Sequence, residues 1–241
     1  VISCADEPYS AIDAAVGAAL REKCAERTPA FSERLGGLGW CTWESFGPFV
    51  SAERIIEKLD EYAAAGRVPR WVLIDDGWAT YRDNRLLSFF ADETKFPDGL
   101  GALVRRMREE YGVKHVGVWC AMNGHWGGLD AEHEYAKKYR EGLYTAYNGA
   151  LLLGKSYGLM YRFWNEWFTY LRGEGIDFVK VDNQGNVPQY YDGELRGSTA
   201  CDLIHKGLEA AAKEHFDGAL INCMCMPSEC MFNRRNSAIT R

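Results

Sequence analysis

Phe178-Val179-Lys180-Val181-Asp182-Asn183 alternates apolar and charged side chains, and side chains two apart share one face of a strand. Lys180 and Asp182 therefore project to one side, while Val179 and Val181 point to the other and pack against covering helices. The run ends by presenting a carboxylate. Beside a lysine an aspartate stays ionised, which suits a nucleophile better than a proton donor. A bland reading fits the same letters, because Asp and Asn favour strand ends and turns for their local hydrogen bonds.

Outward from this strand, apolar runs alternate with helical patterns in the order of βα units. Strands are predicted to begin near Leu38, Trp71, His115, Ile176 and Ala219. Ser51 caps a helix with Ile55, Ile56, Leu59 and Tyr62 on one stripe and Gly66 as its end. Asp98 does the same for Leu100, Leu103, Val104, Met107 and Tyr111, with Gly112 as the stop. Trp164, Trp167, Phe168 and Leu171 form a further stripe before Gly173, and a fourth helix occupies much of Ser198 to Phe216. Before Leu38 lie an amphipathic segment, Ala11 to Leu20, and a polar linker, Arg21 to Arg34. The division expected is 1–37 as an N-terminal helix and linker and 38–241 as part of one catalytic domain. The longest interval separates the third strand from the fourth and holds Asn123 to Tyr157, rich in Gly, Tyr and Trp, as site-building loops often are.

Parallel βαβ patterning leaves a closed (β/α)8 TIM barrel or an open doubly wound sheet. Gly99-Leu100-Gly101 follows Pro97-Asp98 rather than a strand and lacks a third glycine, so it reads as a helix start and not as a phosphate loop. The α/β barrel is therefore favoured, with the first five or so βα units present. Five units cannot close eight strands.

The chain has 241 residues, 47% hydrophobic and 26% charged, with net charge −6. That describes a globular chain with a large core and no basic footprint for nucleic acid or anionic lipid. No apolar run reaches the roughly 18 residues of a membrane span. The eight cysteines are read mostly as reduced core thiols. Cys223, Cys225 and Cys230 raise the question of a metal, but no paired C-x-x-C or H-E-x-x-H accompanies them; no metal or cofactor is expected. Val1 to Pro8 show neither an initiator Met nor a signal peptide, so the expectation is a piece of a longer cytoplasmic protein.

Two more strand ends carry suggestive chemistry. Trp71-Val72-Leu73-Ile74-Asp75-Asp76-Gly77-Trp78 places paired acids before a tryptophan, a set able to accept bonds from sugar hydroxyls while an indole covers an apolar sugar face. An Asx turn beside a packed Trp is the plainer reading. Leu38-Gly39-Trp40-Cys41-Thr42-Trp43-Glu44-Ser45-Phe46 and Gly117-Val118-Trp119-Cys120-Ala121-Met122-Asn123 end similarly. Aromatics at three strand ends, with acids at two, describe a carbohydrate pocket better than a random core.

The ordered motifs W-C-T-W-E-S-F, I-D-D-G-W, K-F-P-D-G-L, G-V-W-C-A-M-N-G-H-W-G-G and V-K-V-D-N-Q resemble the raffinose synthase, seed imbibition protein and alkaline α-galactosidase family, from about Leu38 to the end. More distantly, Trp-x-x-Trp-Glu, Asp-Asp-x-Trp and Lys-x-Asp-Asn resemble lysosomal-type α-galactosidases, whose catalytic domain is a (β/α)8 barrel. The resemblance makes Asp182 the nucleophile and gives Asp75, Asp76 and Lys180 the galactose hydroxyls. It sets Trp43 and Trp119 in the pocket wall and makes Arg241 the arginine that precedes the acid/base. His125 and Trp126 depart from the Gly-Tyr-Trp-Gly-Gly form of the plant enzymes.

The reaction implied is double displacement on raffinose-family oligosaccharides or galactinol, by a hydrolase or a galactosyltransferase, with the two carboxyls roughly 5–5.5 Å apart. Because the sequence stops at Ser237-Ala238-Ile239-Thr240-Arg241, the proton donor is expected beyond it and the 241 residues alone are expected to be inactive. Glu194 and Glu229 match no motif. A non-catalytic galactoside-binding protein of the same fold is the alternative; a metal-dependent hydrolase would need ligands that His115 and His125 are not spaced to supply.

Overall fold

The computed structural model describes residues 2–21, 32–223, 234 and 236–240. In chain order the elements are α1 (Pro8–Arg21), β1 (Gly39–Cys41), α2 (Trp43–Phe46), α3 (Ala52–Ala64), β2 (Trp71–Ile74), β3 (Ala79–Arg82), β4 (Arg85–Ala91), α4 (Gly99–Tyr111) and β5 (His115–Ala121). They continue with α5 (Glu134–Lys138), β6 (Tyr144–Thr145), β7 (Leu151–Leu152), α6 (Tyr157–Gly173), β8 (Phe178–Asp182), α7 (Val187–Tyr190), α8 (Gly197–Phe216), β9 (Leu220–Asn222) and β10 (Ile239–Thr240).

Six strands form one sheet in the order β1-β2-β5-β8-β9-β10, every neighbouring pair parallel. Spatial order follows chain order, and α3, α4, α6 and α8 make the crossovers that parallel pairing requires. Strands covered by helices read as nearly continuous apolar runs: Val72, Ile74, Val116, Val118, Phe178, Val179 and Val181 are fully buried. The five predicted strands are all present. The sixth, β10, escapes prediction because two residues cannot display a period.

The helices follow their predicted stripes. Ser51 accepts from the Arg54 amide to cap α3, and Ser156 does the same for α6 through Leu159. Asp98 precedes α4 but its side chain makes no cap bond; at the other end Gly112 is left-handed, φ 73°, and its amide closes the helix onto Arg108 and Met107. Along α6, Met160, Phe163, Trp164, Trp167, Phe168 and Leu171 are buried. That helix runs through Gly173, and Gly175, φ 82°, makes the turn instead. The N-terminal segment is a longer helix than predicted, with Tyr9 and Ile12 exposed, and most of the polar linker lies outside the described residues.

Two hairpins, β3–β4 and β6–β7, have no counterpart in the predicted elements. The first turns at Asp83 and Asn84, φ 50° and 61°, the left-handed pair of a two-residue turn. The cysteine reading needs one correction. Cys4, Cys41, Cys120 and Cys223 are free thiols, but Cys201 is disulfide-bonded, so the reduced-thiol argument for a cytoplasmic location does not extend to it. Cys225 and Cys230 lie outside the described residues.

Low in the sheet, glycines make room for aromatic rings from the next strand. A Cβ on Gly39 would lie 1.9 Å from the Trp71 ring and one on Gly117 2.3 Å from Phe178. The two rings meet edge to face, centroids 5.8 Å apart. Gly117→Ala is expected to destabilise by about 1–3 kcal/mol through overpacking, read as a lower urea midpoint at unchanged slope. Gly158→Ala, at an open helical position, should be neutral or slightly stabilising.

Candidate active site

Parallel register brings the C-terminal ends of β1, β2, β5 and β8 side by side, with Cys41 opposite Leu73, Ile74 opposite Val118 and Ala121 opposite Asp182. The residues following these ends converge. The buried Asp182 carboxylate accepts a hydrogen bond from the Trp119 indole on one oxygen, 3.0 Å, and from the Asn183 amide on the other, 2.6 Å. Asn183 is left-handed, φ 61°, a conformation that Asn tolerates. An ionised carboxylate has about four acceptor sites, so each oxygen keeps one for a substrate.

Lys180, one pleat back on the same face, donates to Asp75 Oδ2 at 2.7 Å. The pair is nearly buried, with side-chain exposures of 14% and 3%. Asp75 is further held by the Cys41 thiol at 3.2 Å, and its amide donates to Thr42 Oγ1 at 2.9 Å. Asp76 contacts His125 Nε2 at 3.1 Å and accepts from the Trp126 indole at 2.9 Å. His125 is stacked on Tyr81 of the β3–β4 hairpin, centroids 4.4 Å apart, and edge-on to Trp119 at 5.6 Å. Trp78 donates its indole N–H to the Trp119 carbonyl.

The electrostatics follow these contacts. Burial alone would raise the Asp76 pKa, yet the bonds from His125 and Trp126 outweigh it and hold the carboxyl below its usual range. Burial would likewise depress Lys180, but the Asp75 carboxylate outweighs it and the ammonium is raised above its ordinary value. The Cys41 thiol is pushed up to about 11 by burial and by Asp75, so it stays protonated near neutrality and is no nucleophile.

The structure thus brings Asp75, Asp76, Trp119, Lys180 and Asp182 together. Two details differ from the sequence reading: Lys180 pairs with Asp75 rather than Asp182, and Trp119 turns its N–H to a carboxylate. Trp43, 42% exposed, stands just past β1. Arg241 and Glu229 lie outside the described residues. Glu194 is committed to Lys155 at the surface. Thr42 and Tyr81 were missed; Thr42 sat within a quoted motif, whereas Tyr81 required the hairpin. Asn123 Nδ2 and Asn183 Nδ2 are buried donors without a protein partner among the described residues.

Among the described residues no group of three or more His, Cys, Asp or Glu side chains could hold a metal ion, and no helix is long and apolar enough to cross a membrane. The family model described as raffinose synthase or seed imbibition protein Sip1 matches residues 1–96 and 81–241. A probable galactinol–sucrose galactosyltransferase 6 of Arabidopsis thaliana is 29% identical over 84% of this chain. A second from that plant, numbered 1, is 24% identical over all of it. The chain spans 32% and 38% of the lengths of these relatives. Among solved structures, the GH36 α-galactosidase AgaA from Geobacillus stearothermophilus superposes with TM-score 0.61 at 19% identity, over 82% of this chain and 29% of that one. The galactosidase domain of the α-galactosidase-sucrose kinase AgaSK gives 0.64 at 18%, over 91% and 30%.

Removing one member of a buried ion pair strands the other charge. Lys180→Met should cost about 3–5 kcal/mol, with much of it recovered in Lys180→Met/Asp75→Leu; urea unfolding checks both. The sign for Asp76 is that of a depressed carboxyl: its contribution is present above its unfolded value of about 3.9 and is lost as pH falls through the folded one. Trp126→Phe should therefore make acid unfolding begin at higher pH.

Proposed function

This chain belongs to the raffinose synthase or seed imbibition protein family, and we propose that it carries the nucleophile and galactose-recognition part of a retaining α-galactosyl-transfer site. The reading rests on one observation above others: the buried Asp182 carboxylate at the end of a central parallel strand, its orientation fixed by Trp119 and Asn183 while acceptor sites remain open. An oriented, desolvated carboxylate needs no reorganisation to attack an anomeric carbon. As the Asp182–carbon bond forms, the glycosidic C–O bond breaks and the leaving oxygen takes a proton from a second carboxyl. Water or an acceptor hydroxyl then attacks the same carbon from the face opposite Asp182, giving its proton back to that second carboxyl as the Asp182–carbon bond breaks and the free carboxylate is restored, so the net configuration is retained.

Asp75 and Asp76 are the acceptors for galactose hydroxyls, Lys180 a donor to another, and Trp43 and Trp119 the aromatic walls. Arg241 is assigned to substrate by its motif. The amides of Asn123 and Asn183, without a partner among the described residues, add donors that a sugar hydroxyl or a water would satisfy. Of the two carboxylates weighed for the acid/base role, Glu194 is held by Lys155 at the surface and Glu229 lies outside the described residues. The six strands in chain order read as the first six of a (β/α)8 barrel, with 1–37 leading in and 38–241 forming this part of the catalytic domain. The substrate class is raffinose-family oligosaccharides or galactinol, with no nucleic-acid or membrane partner and a cytoplasmic location.

A fluorinated α-galactosyl donor with a good leaving group, whose departure needs little protonation, should label Asp182, located by peptide mapping. Asp182→Ala should abolish labelling without lowering the melting temperature, and Asp75→Asn or Asp76→Asn should weaken it by at least about tenfold, the cost of one lost hydrogen bond to a charged group. Label on another carboxylate overturns the assignment. Binding of galactose with no label on any residue supports a galactoside-binding protein instead. Incubation with raffinose, galactinol and sucrose separates hydrolysis from transfer by product.

A further inference from the structure

Behind the nucleophile strand lies a second polar cluster that the site chemistry does not use. His205, Gln184, Asn222, Ser237 and Glu209 are all buried and joined by short hydrogen bonds. Backbone groups at the ends of this chain fix the direction of every bond in it. The Val181 carbonyl, 2.8 Å from the Gln184 side chain, accepts only, so it faces the Gln184 NH2 end and the Gln184 oxygen faces His205 Nε2 at 2.7 Å. The Cys201 carbonyl, 2.8 Å from His205 Nδ1, also accepts only. Each ring nitrogen of His205 therefore faces an oxygen with no hydrogen to offer.

At the other end the Asn236 amide donates to Glu209 Oε1, which makes that oxygen an acceptor, so the Ser237 hydroxyl donates to it at 2.6 Å. Ser237 then accepts from Asn222 Nδ2 at 2.7 Å, leaving Asn222 Oδ1 to accept from Gln184 Nε2 at 2.9 Å. The bonds run one way, from His205 through Gln184, Asn222 and Ser237 to Glu209, and the two ends, residues 205 and 209, lie one turn apart on α8.

We propose that His205 is a permanently cationic positioning residue: a buried imidazolium that holds Gln184, and with it the turn carrying Asp182 and Asn183, with Glu209 as its counter-charge. A neutral imidazole has one N–H. Losing the proton forfeits either the Cys201 or the Gln184 bond, and Gln184 cannot reverse its amide without facing oxygen to oxygen at Val181 and Asn222. A buried cation survives where hydrogen bonds and an opposite charge offset its desolvation; both ring nitrogens have acceptors, and the Glu209 charge is shared with Arg234. Of the charged and titratable groups around the ring, Glu209 ends the chain of bonds and Arg234 lies 3.8 Å from it. α6, α7 and β9 also pack against α8; the titratable side chains on or next to them include Tyr161, whose hydroxyl donates to Glu214, Tyr190, whose hydroxyl donates to the Trp126 carbonyl, and Cys223. The protonation state stands apart from the proposed reaction; its catalytic consequence rests on Asp182 being the nucleophile.

The test is nitrogen-15 NMR of the histidine rings in the wild-type protein, with His205 assigned through backbone connectivities. Both His205 nitrogens should resonate as protonated from about pH 5.5 to 8, a range in which an ordinary histidine loses its charge. A bare ring nitrogen on His205 at pH 7 overturns the proposal, and this spectrum decides without any variant. Glu209→Gln should lower the His205 titration midpoint by about one pH unit or more; no shift removes Glu209 as counter-charge and overturns that half. Above the lowered midpoint, galactosyl labelling of Asp182 should slow in step with deprotonation. A fully protonated His205 in a protein labelled elsewhere than Asp182 would sink the catalytic reading while leaving the imidazolium standing.

Discussion

The ion pair between Lys180 and Asp75 is the constraint on which the site depends. It reaches from β8 to the turn after β2, passing over β5, and ties three strand ends into one surface. Parallel pairing alone aligns the backbones and leaves the side chains beyond the strand ends free to splay. In this nearly buried pair each charge offsets the other's desolvation, so removing either strands its partner. Once Asp75 is pinned, its neighbour Asp76 projects toward His125 and Trp126. Lys180 is also drawn away from Asp182, whose orientation then falls to Trp119.

The helices and central strands were legible because their signals are local. The α6 stripe and the α3 cap each follow from a period or a terminal residue, and Val179 and Val181 mark β8 by alternation. The carboxylates were legible for the same reason: a strand that ends in Asp182, or in Asp75-Asp76, announces which end of the sheet they occupy. What stayed hidden depends on contacts distant along the chain. Nothing near Lys180 says that its partner lies in another βα unit, and adjacency on the strand face favoured Asp182. Thr42 and Tyr81 are ordinary letters until β1 and the β3–β4 hairpin deliver them to Asp75 and His125. The chain of bonds from His205 to Glu209 draws on four separate segments and has no sequence signature at all.

The aromatic residues divide into two populations that composition cannot tell apart. Trp164 and Trp167 on α6 fill volume between helix and sheet. Trp119, Trp126 and Trp78 act through their N–H groups, toward Asp182, Asp76 and the Trp119 carbonyl. Their rings exclude water while their edges supply directed donors, and at Asp76 the bonds from His125 and Trp126 hold the carboxyl below its usual range despite burial. The glycines at 39 and 117 belong to the same economy of space, lower down, where rings from adjacent strands take the room a side chain would need.

The β3–β4 hairpin meets the site through Tyr81 on the face of His125 and meets the loop after His125 through Asn84 and Leu86, and it carries none of the groups that bond Asp182. Selection can therefore lengthen, shorten or recolour this hairpin, and His125 with it, while the groups around Asp182 stay fixed. Under the proposed galactosyl-transfer reading the two parts answer to different pressures, one to the reaction that members of a lineage share and the other to whichever sugar each member meets. Divergence among descendants should gather at residues 79–91 and 125 and leave 119 and 180–184 almost still, so that new preferences arise without passing through a broken enzyme.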